Sequence, residues 1–193
     1  MKRAVHRGQY IAYQTFEGPT SNAATVLLQH GLLSRRKSWE DVGYVDALTA
    51  NFNVITVDSL GHGDSDKPND ATFYARKQRA GDVVAVLDAE SITSVHYIGY
   101  SMGGWIGTGM ALHHPDRLRS LTIGGWDPIG GLSTVPAIGT FDDLFKRARV
   151  SAPTLTAWVT SNVLPGLEAC WNALKETDCS EVALSDLDVP VLL

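Results

Sequence analysis

Four short apolar runs, each closed by glycine or a polar turn, set the rhythm of the first 125 residues. Residues 25–29 (TVLLQ), 53–58 (NVITVD), 94–100 (SVHYIGY) and 120–125 (SLTIGG) predict strands, and the first two are continuous, as strands buried on both faces of a sheet are. The segments between them have another period. Residues 76–90 (RKQRAGDVVAVLDAE) place Ala80, Val83, Val84 and Leu87 on one helical face, and a polar stretch from about 39 to 50 is compatible with a helix. Residues 102–113 predict a helix rich in small residues, ended by Pro115 soon after. Upstream, Ala4–Phe16 alternates weakly around Gly8 and predicts a hairpin. Such alternation of strand and helix predicts an α/β fold, a mostly parallel sheet covered by helices on both faces.

The rhythm breaks over residues 140–177, which predict two or three helices with no strand between them. Residues 128–187 therefore read as a helical lid inserted into a core made of 1–127 and 188–193, with DVPVLL as a fifth buried strand. At 193 residues, 44% hydrophobic and 19% charged, the chain has the size and composition of one soluble globular domain. A net charge of −5 and short basic clusters such as Arg35-Arg36-Lys37 argue against a nucleic-acid partner. Cys170 and Cys179 are too few for a disulfide framework, and no CxxC pair suggests a metal site. Neither a signal-peptide h-region nor an apolar run of membrane-spanning length is visible, so the expectation is a cytoplasmic protein with no membrane partner.

The chemistry is concentrated in VHYIGYSMGGW, residues 95–105. A strand turning abruptly into a helix puts the apical residue in a strained backbone conformation and crowds the positions two residues either side. Gly99 and Gly103 remove the Cβ atoms that would collide there, leaving the Ser101 hydroxyl exposed at the carboxyl end of the strand. The amides that open the helix point to where an oxyanion would form. Gly104, Gly107 and Gly109 are expected to let that helix pack closely on the sheet. The Gly-x-Ser-x-Gly pattern is weak alone; its position between a strand and a helix gives it force.

With two further motifs, the sequence resembles the α/β-hydrolase family. QHGLL (29–33) resembles the His-Gly turn that supplies one oxyanion-hole amide, here Leu32, and GYSMGG (99–104) resembles the nucleophile elbow, with the amide of Met102 as the second donor. DSLGHGDSDKP (58–68) resembles the glycine-rich loop after the next strand. The resemblance implies a lid-bearing serine hydrolase acting on a small ester or related acyl substrate, without metal or organic cofactor. Serine at the elbow, where the family's dehalogenases and epoxide hydrolases carry aspartate, points to acyl transfer.

The family pattern places its acid after the strand beginning at Val189 and its histidine after one further strand, so both are expected beyond Leu193, in a C-terminally truncated chain. Of the histidines present, His30 and His62 are expected to brace their loops; His6, His96, His113 and His114 read as surface or core residues. Asp127, after the fourth strand, is an alternative acid, and Asp58 a turn former capping backbone N–H groups. Trp105, Trp126, Trp158 and Trp171 could line an acyl pocket or fill the core, and Trp126 and Trp158, from their placement toward the lid, are the first candidates for its walls. The alternative is a catalytically inactive relative that binds or self-assembles. In either case an apolar last strand at a sheet edge predicts a homodimer or larger assembly through that edge or the lid.

Overall fold

The computed structural model describes residues 1–134, 139–176 and 187–193; Cys179 lies outside them. The hairpin comes first, β1 (Lys2–His6) and β2 (Gln9–Phe16) pairing antiparallel across Arg7 and Gly8. Both turn residues have positive φ, 52° and 74°, the geometry that matches the twist of paired strands. Strands β3 (Thr25–Gln29), β4 (Asn53–Val57), β5 (Val95–Tyr100), β6 (Leu118–Gly124) and β7 (Val191–Leu192) complete a seven-stranded sheet in the order β1-β2-β4-β3-β5-β6-β7. From β4 to β7 every pairing is parallel. The α/β architecture expected from the sequence is the one observed.

The helix expected over 39–50 is two helices, α1 (Lys37–Asp41) and α2 (Tyr44–Thr49), because Gly43 enters the left-handed region at φ 80° and breaks the ladder. Their Trp39 and Val45 cover one sheet face over Val26, Leu28 and Val54. On the other face lie α3 (Arg76–Ala89) and α4 (Met102–His113), packed on Leu27, Ile55, Tyr97, Leu121 and Ile123. In α3 the buried face is Ala80, Val83, Val86 and Leu87; Val84 is half-buried. Three charged residues, Arg76, Arg79 and Asp82, are buried with them, which the apolar pattern does not announce. Gly104 and Gly107 admit the sheet residues Ile123 and Leu121, as expected, but Gly109 faces Arg76 and Ala80 of α3 instead.

After β6 come α5 (Phe141–Ser151), α6 (Pro153–Thr156) and α7 (Leu164–Glu176), the uninterrupted run of helices expected of the lid. Thr140 and Asp143 form a reciprocal capping box at the start of α5. Leu167, Cys170, Trp171 and Leu174 of α7 join the main core. The last strand departs from expectation. β7 is two residues long, and Leu192 and Leu193 are 65% and 68% exposed rather than buried. Along the register row Leu28–Ile98–Thr122–Leu192, the cluster under α1 and α2 takes in Leu28 and, partly buried, Ile98.

Candidate active site

Ser101 sits between β5 and α4 with φ 51° and ψ −115°, a left-handed φ that a serine adopts only when its surroundings impose it. Its own N–H donates to Gly124 O (2.6 Å) and its carbonyl accepts from Trp105 N–H (3.1 Å), which fixes the turn from both sides. The flanking glycines are sterically required. A Cβ on Gly99 would collide with the backbone of Gly103, and one on Gly103 with the carbonyl of Gln29. Gly31 packs just as tightly, since a Cβ there would lie 3.2 Å from Ser101 Cβ. The turn carrying Leu32 is thus pressed against the serine, and Met102 opens α4 on its other side. No described side chain hydrogen-bonds the Ser101 hydroxyl.

His30 braces the turn, as expected. Its Nδ1–H donates to Gly31 O (2.8 Å) and its Nε2 accepts from Ser59 N–H (3.0 Å), so one neutral tautomer uses both ring nitrogens. Burial lowers its pKa to about 4, against the pull of Asp58. His62, its ring centroid 5.0 Å from that of His30, donates Nδ1–H to Leu60 O (3.2 Å) and is pushed well below the usual histidine value by burial and by His30. Asp58 is a turn former, accepting from the N–H groups of Arg36 (2.7 Å) and Asp64 (3.0 Å).

These neutral rings link stability to pH. Below the ordinary pKa of 6.5 the unfolded chain binds protons that native His30 refuses until about 4, so stability is full above that range and is lost as pH falls through it. His62 acts in the same direction. The unfolding free energy from urea denaturation is expected to drop between about pH 7.5 and about pH 5.5 by roughly 1 kcal/mol from His30, with His62 adding in the same direction, so that the urea midpoint falls. His30→Gln should flatten the slope; an unchanged wild-type midpoint would contradict this account.

The remaining histidines lie away from the serine or are already engaged. His6 Nδ1 pairs with Asp82 Oδ1 (2.7 Å) and His96 Nδ1 with Ser120 Oγ (2.8 Å). His113 and His114 stand at the far end of α4, roughly 17 Å along the helix from Ser101. Asp127 is exposed and its Oδ1 accepts from the N–H groups of Ile129 (2.9 Å) and Gly130 (2.8 Å), which lowers its pKa. That is a turn-forming role, and no described histidine is bonded to the carboxylate. Trp126 packs its Cβ against Gly104 at the start of α4, near the serine. Trp158 donates its indole N–H to Leu33 O (2.8 Å), with its ring centroid 6.1 Å from that of His62.

Sequence reasoning missed the buried Arg79, whose Nη1 donates to Cys170 Sγ (3.2 Å) and whose guanidinium lies over the Tyr74 ring. Its helical spacing to Val83 and Val86 is the signal that could have found it, although a charged side chain is rarely placed in a core. Among the described residues no cluster of three or more His, Cys, Asp or Glu could hold a metal ion, and no helix is long and apolar enough to cross a membrane.

Residues 24–156 match the family model of the alpha/beta hydrolase fold. The chain belongs to the alpha/beta hydrolase family. A Bacillus subtilis protein named as a 2-succinyl-6-hydroxy-2,4-cyclohexadiene-1-carboxylate synthase is 32% identical over 119 residues, 62% of this chain and 41% of that protein. A Caulobacter segnis protein named as the carbamate hydrolase RutD is 35% identical over 117 residues, 60% of this chain and 43% of that protein. The matches thus span about two-fifths of these two relatives. The crystal structure of an enol-lactonase from Burkholderia xenovorans superposes with a TM-score of 0.76 at 22% identity, covering 98% of this chain and 79% of that one. At that identity the likeness speaks for the alpha/beta hydrolase fold and for nothing finer.

Proposed function

We propose that this alpha/beta hydrolase chain carries the nucleophile and oxyanion hole of a serine acyl hydrolase acting on a small ester or a related substrate such as a carbamate. The observation that carries the reading is Ser101 itself, held at φ 51° between β5 and α4 with Gly31 pressed against its Cβ. A strained serine costs on the order of 1–3 kcal/mol, and the geometry it gains is that of an exposed attacking oxygen beside helix-opening amides. Ser101 Oγ adds to the substrate carbonyl, and the resulting oxyanion accepts from the amides of Leu32 and Met102. Met102 suits this role because the first N–H groups of a helix have no partner within it. Collapse of the adduct breaks the bond to the leaving group, which departs as an alcohol, or from a carbamate as an alcohol or amine, carrying the proton taken from Ser101. Water then adds to the acyl-Ser101 ester, releasing the acid and restoring the hydroxyl. Trp126, packed at the start of α4, serves as a wall for the acyl group. The name of the Caulobacter relative, a carbamate hydrolase, agrees with acyl chemistry.

A base must take the Ser101 proton, and no described histidine hydrogen-bonds its hydroxyl: His30 has both ring nitrogens bonded, His62 holds Leu60 O of its own loop through Nδ1, two are bonded elsewhere and two lie at the distal end of α4. The base and the acid that orients it therefore come from outside the described residues. The test is covalent capture by a fluorophosphonate, with and without added imidazole, located by mass spectrometry. An adduct on Ser101 that disappears in Ser101→Ala supports the reading. Equal labelling of both proteins, or a folded wild type unlabelled in either condition, overturns it.

The edge at β7 favours one further property, self-association. Among the described residues β7 pairs with one strand and Leu192 and Leu193 are exposed, and an apolar edge of this kind is a template for a second chain. Light scattering at micromolar concentration is expected to give at least twice the chain mass, and Leu192→Lys to reduce it. A wild-type monomer would count against this.

A further inference from the structure

The turn that carries Leu32 has a leucine where its geometry favours glycine. Ser34 N–H donates to Gly31 O (3.1 Å), closing a four-residue turn, and within it the only non-glycine residue with positive φ is Leu33, at 65°. A positive φ confined to the third residue is the type II pattern, which selects glycine or asparagine there. Leu33 cannot leave the core to relieve the strain, being 3% exposed, but burial fixes its side chain and not the direction of its carbonyl. Among the described residues that carbonyl has one anchor, the Trp158 indole N–H at 2.8 Å, donated from the turn after α6 and 125 residues away in sequence.

We propose that Trp158 is a positioning residue: seated on the core, the lid pins Leu33 O through the indole N–H, keeps Leu33 left-handed, and so sets the direction of the Leu32 amide at Ser101. The inference rests on reading Leu32 as an oxyanion donor. It gives Trp158 a task other than lining the acyl pocket, since its single donor is already committed. The consequence is mechanistic. A lid that lifts away releases the turn, so the oxyanion hole is complete only while the lid is seated.

Amide hydrogen exchange by NMR on the folded chain reads this without any need for turnover. In wild type the Trp158 indole N–H is expected to be protected; free exchange there overturns the proposal with no variant required. In Trp158→Phe, which keeps an aromatic ring and loses the donor, Ser34 N–H is expected to exchange about five- to tenfold faster, the factor that one net hydrogen bond supplies. Amides of the central pair β3–β5 should be unchanged. Adding Leu33→Gly should restore slow exchange at Ser34, because glycine takes a left-handed φ without the penalty. Loss of lid packing alone would not be rescued in this way. Unchanged Ser34 exchange in folded Trp158→Phe, or a change that Leu33→Gly leaves in place, overturns the proposal. Fluorophosphonate capture of Ser101 should slow by a similar factor in Trp158→Phe, and equal capture rates would remove the link to Leu32. Absence of capture in every variant would instead sink the nucleophile reading, while the exchange data still decide the Trp158 contact.

Discussion

Imidazole is expected to accelerate fluorophosphonate capture of the wild-type chain by about tenfold or more, and to leave Ser101→Ala unlabelled. The expectation follows from what the site holds and what it lacks. The strained serine is present, and stabilisation by one oxyanion-hole donor, the role proposed for the amides of Leu32 and Met102, is worth on the order of 10²–10³ in rate. A positioned general base contributes about 10²–10⁴ more, and no described histidine hydrogen-bonds the Ser101 hydroxyl. His30 is the nearest in sequence to the oxyanion turn, yet both its nitrogens are bonded and burial holds it neutral. A small diffusible base can take the Ser101 proton where no side chain does. It recovers only part of the full factor, because its binding entropy is not prepaid. Capture that is fast without imidazole and unaffected by it would mean that a base already reaches Ser101, and the six-histidine argument would fail.

The parts of this site that were legible in the sequence are those set by sterics over a few residues. Gly99 and Gly103 could be assigned as relief of Cβ collisions at a strand-to-helix turn, because the collision is a property of the turn itself. Asp58 could be read as a turn former because it caps backbone in its own loop, whereas His30 and His62 were legible as braces through the family resemblance. The strands were legible because an apolar run bounded by glycine has few other readings. What stayed hidden depends on contacts between distant segments. Trp158 reaches Leu33 across 125 residues, and nothing local distinguishes an indole N–H that holds a turn from one that lines a pocket. Arg79 was hidden for the opposite reason: its helical spacing was visible, but only the three-dimensional neighbours Cys170 and Tyr74 make a buried guanidinium tolerable. The break at Gly43 was lost because the flanking residues keep a helix-compatible pattern through it.

Gly103→Ala should be among the most damaging single-methyl changes in the protein, and the reason separates two opposing effects. Alanine in a helix interior is favoured over glycine by about 1 kcal/mol, so a methyl group in open space within α4 would stabilise. At Gly103 that methyl collides with Gln29 O and would lie 2.8 Å from Gln29 C and 3.0 Å from His30 O. All three are backbone atoms at the end of β3, a strand paired on both sides, so no side-chain rotation relieves the contact. Either α4 lifts off the sheet or β3 bends, and both disturb Ser101 and the Gly31 turn together. The cost should exceed the roughly 1–3 kcal/mol typical of overpacking, a large share of the 5–15 kcal/mol that holds a domain folded. Gly107→Ala is the control within the same helix. Its new methyl would meet Leu121 Cδ1 at 2.7 Å and Tyr97 Cε1 at 2.8 Å, which are side-chain atoms, and the leucine methyl is the end of a flexible group. Urea denaturation should therefore rank Gly103→Ala below Gly107→Ala, and both below wild type. A Gly103→Ala protein as stable as Gly107→Ala would show that the approach of α4 to β3 is looser than the positions of Gln29 and His30 require.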